Sequence, residues 1–285
     1  MPRRYSELYI SARNALRAAG VEAADVEARL IVATASGKTT AQLLRDLTLY
    51  GTDEVERRVG EMLSRRLAGE PVAYITGVWE FRGLPMEVSP EVLIPRADTE
   101  VLAGEAIAFL ERRRRDGRVL DLCCGTGCIG LAIADALPRA HAVLADISGD
   151  AIEISRRNAV RNNLAGHVSY LLCDAMKAPP VSLGSFDLIV SNPPYIASFD
   201  IMTLDASVRD YEPIWALDGG EDGLDFYRAI LRNWAGALRP GAAMMFEVGE
   251  GQAGEVKDLM RMAGLHDAAS IEDTRGVERV VAAYN

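Results

Sequence analysis

A short apolar run, Val119-Leu120-Asp121-Leu122, opens through Cys123-Cys124 onto Gly125-Thr126-Gly127-Cys128-Ile129-Gly130. The glycines match G-x-G-x-x-G, a turn in which the backbone can approach a ligand closely before a helix begins. Such a turn works only between a buried strand and a helix, so it commits this stretch to strand, loop and helix. The alternation then continues. Helix is expected through Leu137, and a strand over Ala142–Ala145 ends at Asp146. A helix follows from Gly149 to Asn162, then a strand over Val168–Cys173 that ends at Asp174. Phe186–Ser191 reads as a buried strand, Phe226–Leu238 as a helix, Ala242–Val248 as a strand and Val280–Ala283 as a closing strand. Alternation with short loops implies an α/β fold of the Rossmann-like kind: an open, mostly parallel sheet with helices on both faces. Ligands bind outside the carboxyl ends of the strands in such sheets. Asp121, Asp146, Asp174 and Asn192 all fall at those ends.

Residues ahead of this pattern divide into two stretches. Apolar residues recur at helical spacing over Ser6–Ala19, Val21–Ala35, Thr39–Leu47 and the segment that follows Thr52, with Thr52 and Asp53 as caps. Residues 1–70 are therefore expected to form a helical domain. Gly37-Lys38-Thr39 ends like a phosphate-binding loop, but Val32 stands where its first glycine belongs, which excludes that reading. Over 71–95, Val72–Ile75, Trp79–Phe81 and Met86–Val88 read as short strands around Gly77 and Arg82-Gly83, a β-hairpin linker. A helix over Thr99–Arg114 then opens the third region, 96–285.

The glycine loop with Asp146 about 20 residues on would suit a dinucleotide, the acid meeting ribose hydroxyls. Asp121 argues otherwise. A carboxylate just before the loop would repel a pyrophosphate but attract an ammonium group. The strand-end acids Asp121, Asp146 and Asp174 together resemble those of the S-adenosylmethionine-dependent methyltransferases. That resemblance puts the methionine end on Asp121, Cys123, Cys124, Gly125, Thr126 and Gly127, the ribose on Asp146, and the adenine beside Asp174, Ala175 and Met176.

Asn192-Pro193-Pro194-Tyr195 follows the Phe186–Ser191 run directly. An Asn carboxamide oxygen accepts one N–H of a planar nitrogen group, and the Pro193 carbonyl can accept the second. The prolines stiffen the turn and Tyr195 offers a face for stacking. This arrangement suits alkylation of an amide or exocyclic amine nitrogen, with Asn192, Pro193 and Tyr195 as catalytic groups and Pro194 completing the substrate contact. Asn192 also borders the cofactor. A hydride transferase has no use for it.

Charge and composition narrow the partners. The net charge of −10 argues against a nucleic-acid footprint. The run Arg112–Arg115 before Asp116 reads as the solvated end of a helix. Cys123, Cys124, Cys128 and Cys173 lack the paired spacing of a metal site, and no metal is expected. No apolar stretch is long enough to span a bilayer, and the amino-terminal segment lacks a signal-peptide core, so a cytoplasmic location is expected. His141, His167 and His266 lie outside every motif.

With both loops in place, the chain resembles the PrmC (HemK) family of protein-(glutamine-N5) methyltransferases along nearly its whole length. Tyr74-Ile75-Thr76-Gly77 with Glu80-Phe81, and Leu93-Ile94-Pro95-Arg96 with Asp98-Thr99-Glu100, resemble the family's linker signature. Tyr211-Glu212-Pro213 with Ala216-Leu217, and Gly219-Gly220-Glu221-Asp222-Gly223-Leu224, resemble its loop after the substrate motif, and Gly276-Val277-Glu278-Arg279-Val280 also fits. The resemblance implies S-adenosylmethionine as methyl donor and, as acceptor, the glutamine of the Gly-Gly-Gln motif in class I peptide-chain release factors. The sequence does not give the oligomeric state, for which a monomer is favoured; charge and the lack of an apolar span argue against nucleic-acid and membrane partners, and the helical domain 1–70 is expected to offer a second docking surface for the substrate protein. Three alternatives stand beside this reading: a sister enzyme acting on a ribosomal-protein glutamine, against which the linker segments count mildly; an adenine methyltransferase of nucleic acid, against which the −10 charge and the missing basic target-recognition region argue; and an S-adenosylmethionine-binding protein without activity, motivated by Cys123. Cys123 stands where the family usually has Gly, which costs about 1 kcal/mol if that position needs a positive φ.

Overall fold

The structure, a computed structural model, describes residues 2–113 and 117–285. Two compact units are present, Met1–Val78 with Asp205–Tyr211, and Trp79–Leu204 with Glu212–Asn285.

The first unit contains α1 (Tyr5–Ala18), α2 (Ala24–Ala35), α3 (Thr40–Arg45), α4 (Asp53–Leu67) and α5 (Val72–Thr76). α1 buries Leu8, Ala12 and Leu16, one residue per turn on one face. Thr39 and Gln42 form a reciprocal capping box at α3, with bonds of 3.1 and 2.8 Å. Thr52 Oγ1 accepts the Val55 N–H at 3.3 Å, which caps α4 as expected. Val72–Thr76 corrects the sequence expectation: it is a helical turn, not a strand. Four consecutive apolar residues carry no period of their own. Here Pro71 sits at the start and Gly77, at φ 73°, ends the turn in the left-handed region.

The hairpin β1 (Val78–Phe81) and β2 (Leu84–Glu87) opens the second unit from Trp79 onward. Arg82 and Gly83 both take positive φ, 49° and 82°, as a two-residue hairpin turn of matching twist requires. α6 (Thr99–Arg112) ends with Arg112 and Arg113 exposed, while Arg114, Arg115 and Asp116 of the basic run lie outside the described residues. Then come β3 (Arg118–Leu122), α7 (Cys128–Ala136), β4 (His141–Asp146), α8 (Gly149–Arg161), β5 (Val168–Leu172) and β6 (Phe186–Ser191). α9 (Ala206–Arg209) belongs to the first unit. α10 (Asp225–Trp234), β7 (Leu238–Glu247), α11 (Ala253–Met262), β8 (His266–Glu272) and β9 (Glu278–Tyr284) complete the chain.

The sheet order is β5-β4-β3-β6-β7-β9-β8. β5 through β7 run parallel, and β9 is antiparallel to both β7 and β8. From β3 the chain winds outward to β4 and β5, then crosses to β6 on the other side. The topological switch point therefore lies between β3 and β6. Alternation along the strands feeds two cores. Val119, Leu144, Leu188 and Val190 face one side with Leu102, Ala106 and Leu131. Leu120, Leu122, Val143 and Ile189 face the other with Tyr227, Trp234, Val256 and Met260. Burying each large apolar side chain contributes on the order of 2 kcal/mol.

Candidate active site

The carboxyl ends of β3, β4, β5 and β6 surround a cleft of about 250 Å³. Cys123, Cys124, Gly125 and Thr126 line it after β3, Asp146 after β4, Asp174, Ala175 and Met176 after β5, and Asn192 and Pro194 after β6. Asp121, Gly127, Pro193 and Tyr195 are not in its wall.

Asp121 lies in β3 just before the loop, as expected, but outside the cleft wall. Its residue is fully buried, and its Oδ2 accepts the Gly130 N–H of α7 at 2.8 Å. Its Oδ1 is buried without a hydrogen-bond partner, and burial pushes the carboxyl up to about 7. One carboxyl oxygen thus braces α7 behind the loop, while the other keeps no protein partner. Gly127 also works from behind. A Cβ there would stand 3.0 Å from Ser155 Cβ and 3.1 Å from Leu144 Cδ1, so it keeps α7 tight on the sheet. At Gly130 a Cβ would fall 2.3 Å from Leu144 Cδ2.

Asp146 accepts the Gly125 N–H through Oδ2 and the Ser148 N–H through Oδ1, both at 2.9 Å. Burial raises its carboxyl above the ordinary range, opposed by those N–H donors. The Gly125 and Gly130 amides, which a dinucleotide site would turn on a phosphate, are thus taken by carboxylates. The cleft's charged lining among the described residues is Glu91, Asp146 and Asp174 against Arg96. This set of donors and acceptors fits a ligand carrying an ammonium, hydroxyls and an adenine, and does not fit a pyrophosphate. The residues present therefore fit S-adenosylmethionine.

Cys123 takes φ 59°, one of four non-glycine residues with positive φ among the described residues. Its thiol and that of Cys124 are pushed up by burial, as is that of Cys128, to about 12, so none is a ready thiolate. All four cysteines are free, and the described residues hold no cluster suited to a metal. The Asp174–Met176 segment is fixed by α10: Trp234 Nε1 donates to the Ala175 carbonyl at 2.9 Å and Asn233 Nδ2 to that of Met176 at 2.7 Å.

Asn192 is half-buried, and its Nδ2 donates to Thr99 Oγ1 of α6 at 3.3 Å. Ser191 Oγ donates to the Leu122 carbonyl at 2.7 Å, which ties the mouth of β6 to that of β3. The turn after Asn192 is clasped by glycines. A Cβ on Gly219 would stand 2.7 Å from Tyr195 Cα and 2.8 Å from the Pro194 carbonyl oxygen. On Gly223 it would stand 2.4 Å from the Tyr195 carbonyl oxygen. The Gly-rich loop after the motif is thus a mould for its backbone.

Sequence reasoning missed three contributors. Gln252 Nε2 donates to the Tyr195 carbonyl at 2.9 Å, while its Oε1 accepts the Gly249 N–H at 2.9 Å. Asn158 of α8 donates to the Thr126 carbonyl at 3.0 Å and holds the glycine loop from beneath. Glu247, only 2% exposed at the end of β7, lies beside Thr99 and Asn192. A lone carboxylate closing an apolar strand was the signal available for it.

Residues 103–206 match the family described as the methyltransferase small domain, and residues 7–77 match the PrmC N-terminal domain. A release factor glutamine methyltransferase of Geobacter sulfurreducens is 40% identical over 269 residues, covering 94% of this chain and 92% of that protein. Its counterpart in Bradyrhizobium diazoefficiens is 39% identical over 271 residues, covering 94% and 90%. The chain belongs to the release factor glutamine methyltransferase family. Enzymes of this family take their methyl group from S-adenosylmethionine, and the cleft above is where the donor fits. The methyltransferase fold extends to more distant proteins. The hMettl16 catalytic domain superposes with a TM-score of 0.57 at 16% identity, over 78% of this chain and 81% of that one. A methyltransferase of Pyrococcus furiosus gives 0.51 at 18%, over 79% and 98%. No helix among the described residues is long and apolar enough to cross a membrane.

Proposed function

We propose that this chain methylates the side-chain amide nitrogen, N5, of the glutamine in the Gly-Gly-Gln loop of class I peptide-chain release factors. The observation that carries the reading is at Asn192. Its Nδ2 is committed to Thr99 Oγ1, so its carboxamide oxygen is the atom presented for a ligand's N–H.

Cys123, Cys124, Gly125 and Thr126 hold the methionine end of S-adenosylmethionine, Asp146 its ribose, and Asp174, Ala175 and Met176 its adenine, with Asn192 at the junction with substrate. Bound there, S-adenosylmethionine supplies an electrophilic methyl group on a positively charged sulfur. An amide nitrogen is a weak nucleophile because its lone pair is delocalised into the carbonyl. Asn192 Oδ1 and the Pro193 carbonyl accept the two N–H groups of the substrate amide. Both acceptors strengthen as positive charge grows on nitrogen, so they favour the transition state over the ground state. Pro194 and Tyr195 fix the amide plane, and the glycines and Gln252 fix Pro194 and Tyr195 in turn. The pinned turn supplies orientation, the larger part of what such a reaction needs. No histidine takes part; His141 and His266 are exposed.

The acidic balance of −10 and the acidic cleft lining support a protein partner over nucleic acid. On this reading the enzyme works as a monomer in the cytoplasm, and residues 1–70 form a second docking surface for the release factor. Hydrogen exchange of the full chain tests that surface. Slowed exchange in α1–α4 on adding release factor is expected, and unchanged exchange there removes the docking role.

The decisive experiment is mass spectrometry of a release factor after incubation with the enzyme and S-adenosylmethionine. One added methyl on the Gly-Gly-Gln glutamine is expected, absent with Asn192→Ala although that variant still binds the donor. An unmodified peptide from a wild-type protein that binds the donor would overturn the proposal and turn the search to ribosomal proteins and adenine-containing nucleic acids.

A further inference from the structure

Glu247 is a buried carboxyl for which the reaction above has no stated use. Its place is set by the sheet: Phe246 of β7 pairs with Ser191 of β6, so Glu247 and Asn192 leave their strands side by side. The next strand, β9, supports it from the other side, where Glu247 pairs with Val280. The Glu247 backbone carbonyl accepts the Tyr227 hydroxyl at 2.8 Å, which fixes the residue from α10. Its side chain faces the Thr99 hydroxyl and the Asn192 carboxamide, and its Oε2 is buried with no partner that meets hydrogen-bond geometry. Thr99 is itself 2% exposed.

A carboxamide can present either its oxygen or its NH₂ to a ligand, and the two orientations are nearly isosteric. Only one is useful for holding a substrate N–H. An ionised carboxylate accepts and never donates, so it selects the NH₂ side of Asn192. We infer that Glu247, with Thr99, is a positioning residue for methyl transfer: it holds the Asn192 NH₂ group on the protein side and so aims the Asn192 oxygen at the substrate amide. This rests on the reading of Asn192 as the acceptor given above.

The chemistry makes the device sensitive to protonation. A protonated Glu247 can donate, which rewards the flipped carboxamide and turns NH₂ toward the substrate. Burial holds the carboxyl up at about 7, helped by Asp98 and opposed by Arg279, Thr99 and Asn192. The other titratable groups around it are Tyr195, Tyr227 and Cys128, all pushed up by burial and neutral at that pH. Aiming is thus lost as pH falls below about 7.

The test compares wild type, Glu247→Gln and Asn192→Ala by steady-state methylation of a release factor from pH 5.5 to 8.5, with donor affinity by calorimetry. Wild type should show kcat falling on the acid side. Glu247→Gln should lower kcat at pH 8 about tenfold or more and flatten that acid limb, with KM and donor affinity within about twofold. An unchanged kcat, or an acid limb that persists in Glu247→Gln, overturns the inference. If Glu247→Gln fails to bind the donor, Thr99→Val decides. It keeps the carboxyl but removes the bridging hydroxyl, and wild-type kcat in it would also overturn the inference. Failure of the underlying reading is recognised separately, because Asn192→Ala would then methylate at the wild-type rate whatever Glu247 does.

Discussion

Glu212 and Ile94 are 118 positions apart, yet Glu212 Oε2 accepts the Ile94 backbone N–H at 3.2 Å. The other oxygen of this buried carboxylate pairs with the Arg96 guanidinium, which lines the cleft. The segment that enters α6 and the segment after the Asn-Pro-Pro-Tyr turn are therefore stitched together at one side chain. Glu212→Ala would strand the Ile94 N–H and leave Arg96 without its carboxylate. Because the Arg96 side chain is 38% exposed, water compensates part of the loss. A destabilisation of about 2 kcal/mol is expected, read as a lower urea midpoint at unchanged slope. An unmoved midpoint would reject the stitch.

Gly223 adopts φ 76° with the Tyr195 carbonyl oxygen 2.4 Å from where a Cβ would sit. Gly223→Ala must displace the turn that carries the acceptor groups. Single-turnover methylation should slow about tenfold or more, while donor affinity stays within about threefold, since the added Cβ meets Tyr195 and Gln252 and no residue of the glycine loop. Parallel loss of both would show that the mould serves the cofactor instead.

Cys123 is held at φ 59°. Replacing it with Gly relieves backbone strain but loses a side chain packed against the core. The two effects oppose, so stability should change by less than about 1 kcal/mol. Cys123→Val keeps apolar bulk but branches at Cβ, and should cost about 2 kcal/mol or more. Equal melting temperatures for the two variants would mean that the dihedral is not what the site resists.

Asp121 gives a pH prediction with a definite sign. Its carboxyl is raised to about 7 in the fold, so the folded chain holds a proton that the unfolded chain has shed. Stability therefore falls as pH rises from the ordinary carboxylate range toward about 7. Asp121→Asn keeps an oxygen for the Gly130 N–H and removes the titration. A fixed cost for its buried NH₂ group shifts its whole curve without tilting it. Relative to wild type, the variant should gain at least about 1 kcal/mol between pH 4 and pH 7. A flat difference across that window would contradict the assignment.

The parts of this molecule legible in the sequence are those where one residue type has few alternatives. Phe186–Ser191 was bounded correctly because Phe186, Leu188, Ile189 and Val190 form a short apolar cluster closed by Asn-Pro-Pro, and Asp187 and Ser191 are buried only because they are hydrogen-bonded. The sheet was expected to be mostly parallel, and five of its strands are. The antiparallel edge was half-seen, since β8 carries only one large apolar residue, Ile271, and sits half-exposed. Helix α11 also escaped notice. Asp174, Ala175, Met176 and Asn192 were placed at strand ends by counting, and the cleft gathers them. Asp121 could be placed but not aimed: the period of a strand says which face a side chain takes, not whether a neighbouring N–H will claim it. Glu247, Gln252 and Asn158 act through partners 50 or more positions distant, or through backbone atoms, and nothing local marks such contacts.

The pairing of Leu122 with Ser191 joins the last residues of β3 and β6 in register. On the proposed function, the loop that would hold the methyl donor and the turn that would hold the acceptor spring from hydrogen-bonded neighbours, about 5 Å apart across a buried ladder. The spacing of the two sites is then anchored on paired, buried backbone and not on the loops' own conformation. Changes in the surrounding loops can alter how often a substrate arrives, or which substrate fits. Only the loop that moulds the acceptor turn, through Gly219 and Gly223, has leverage over the spacing itself.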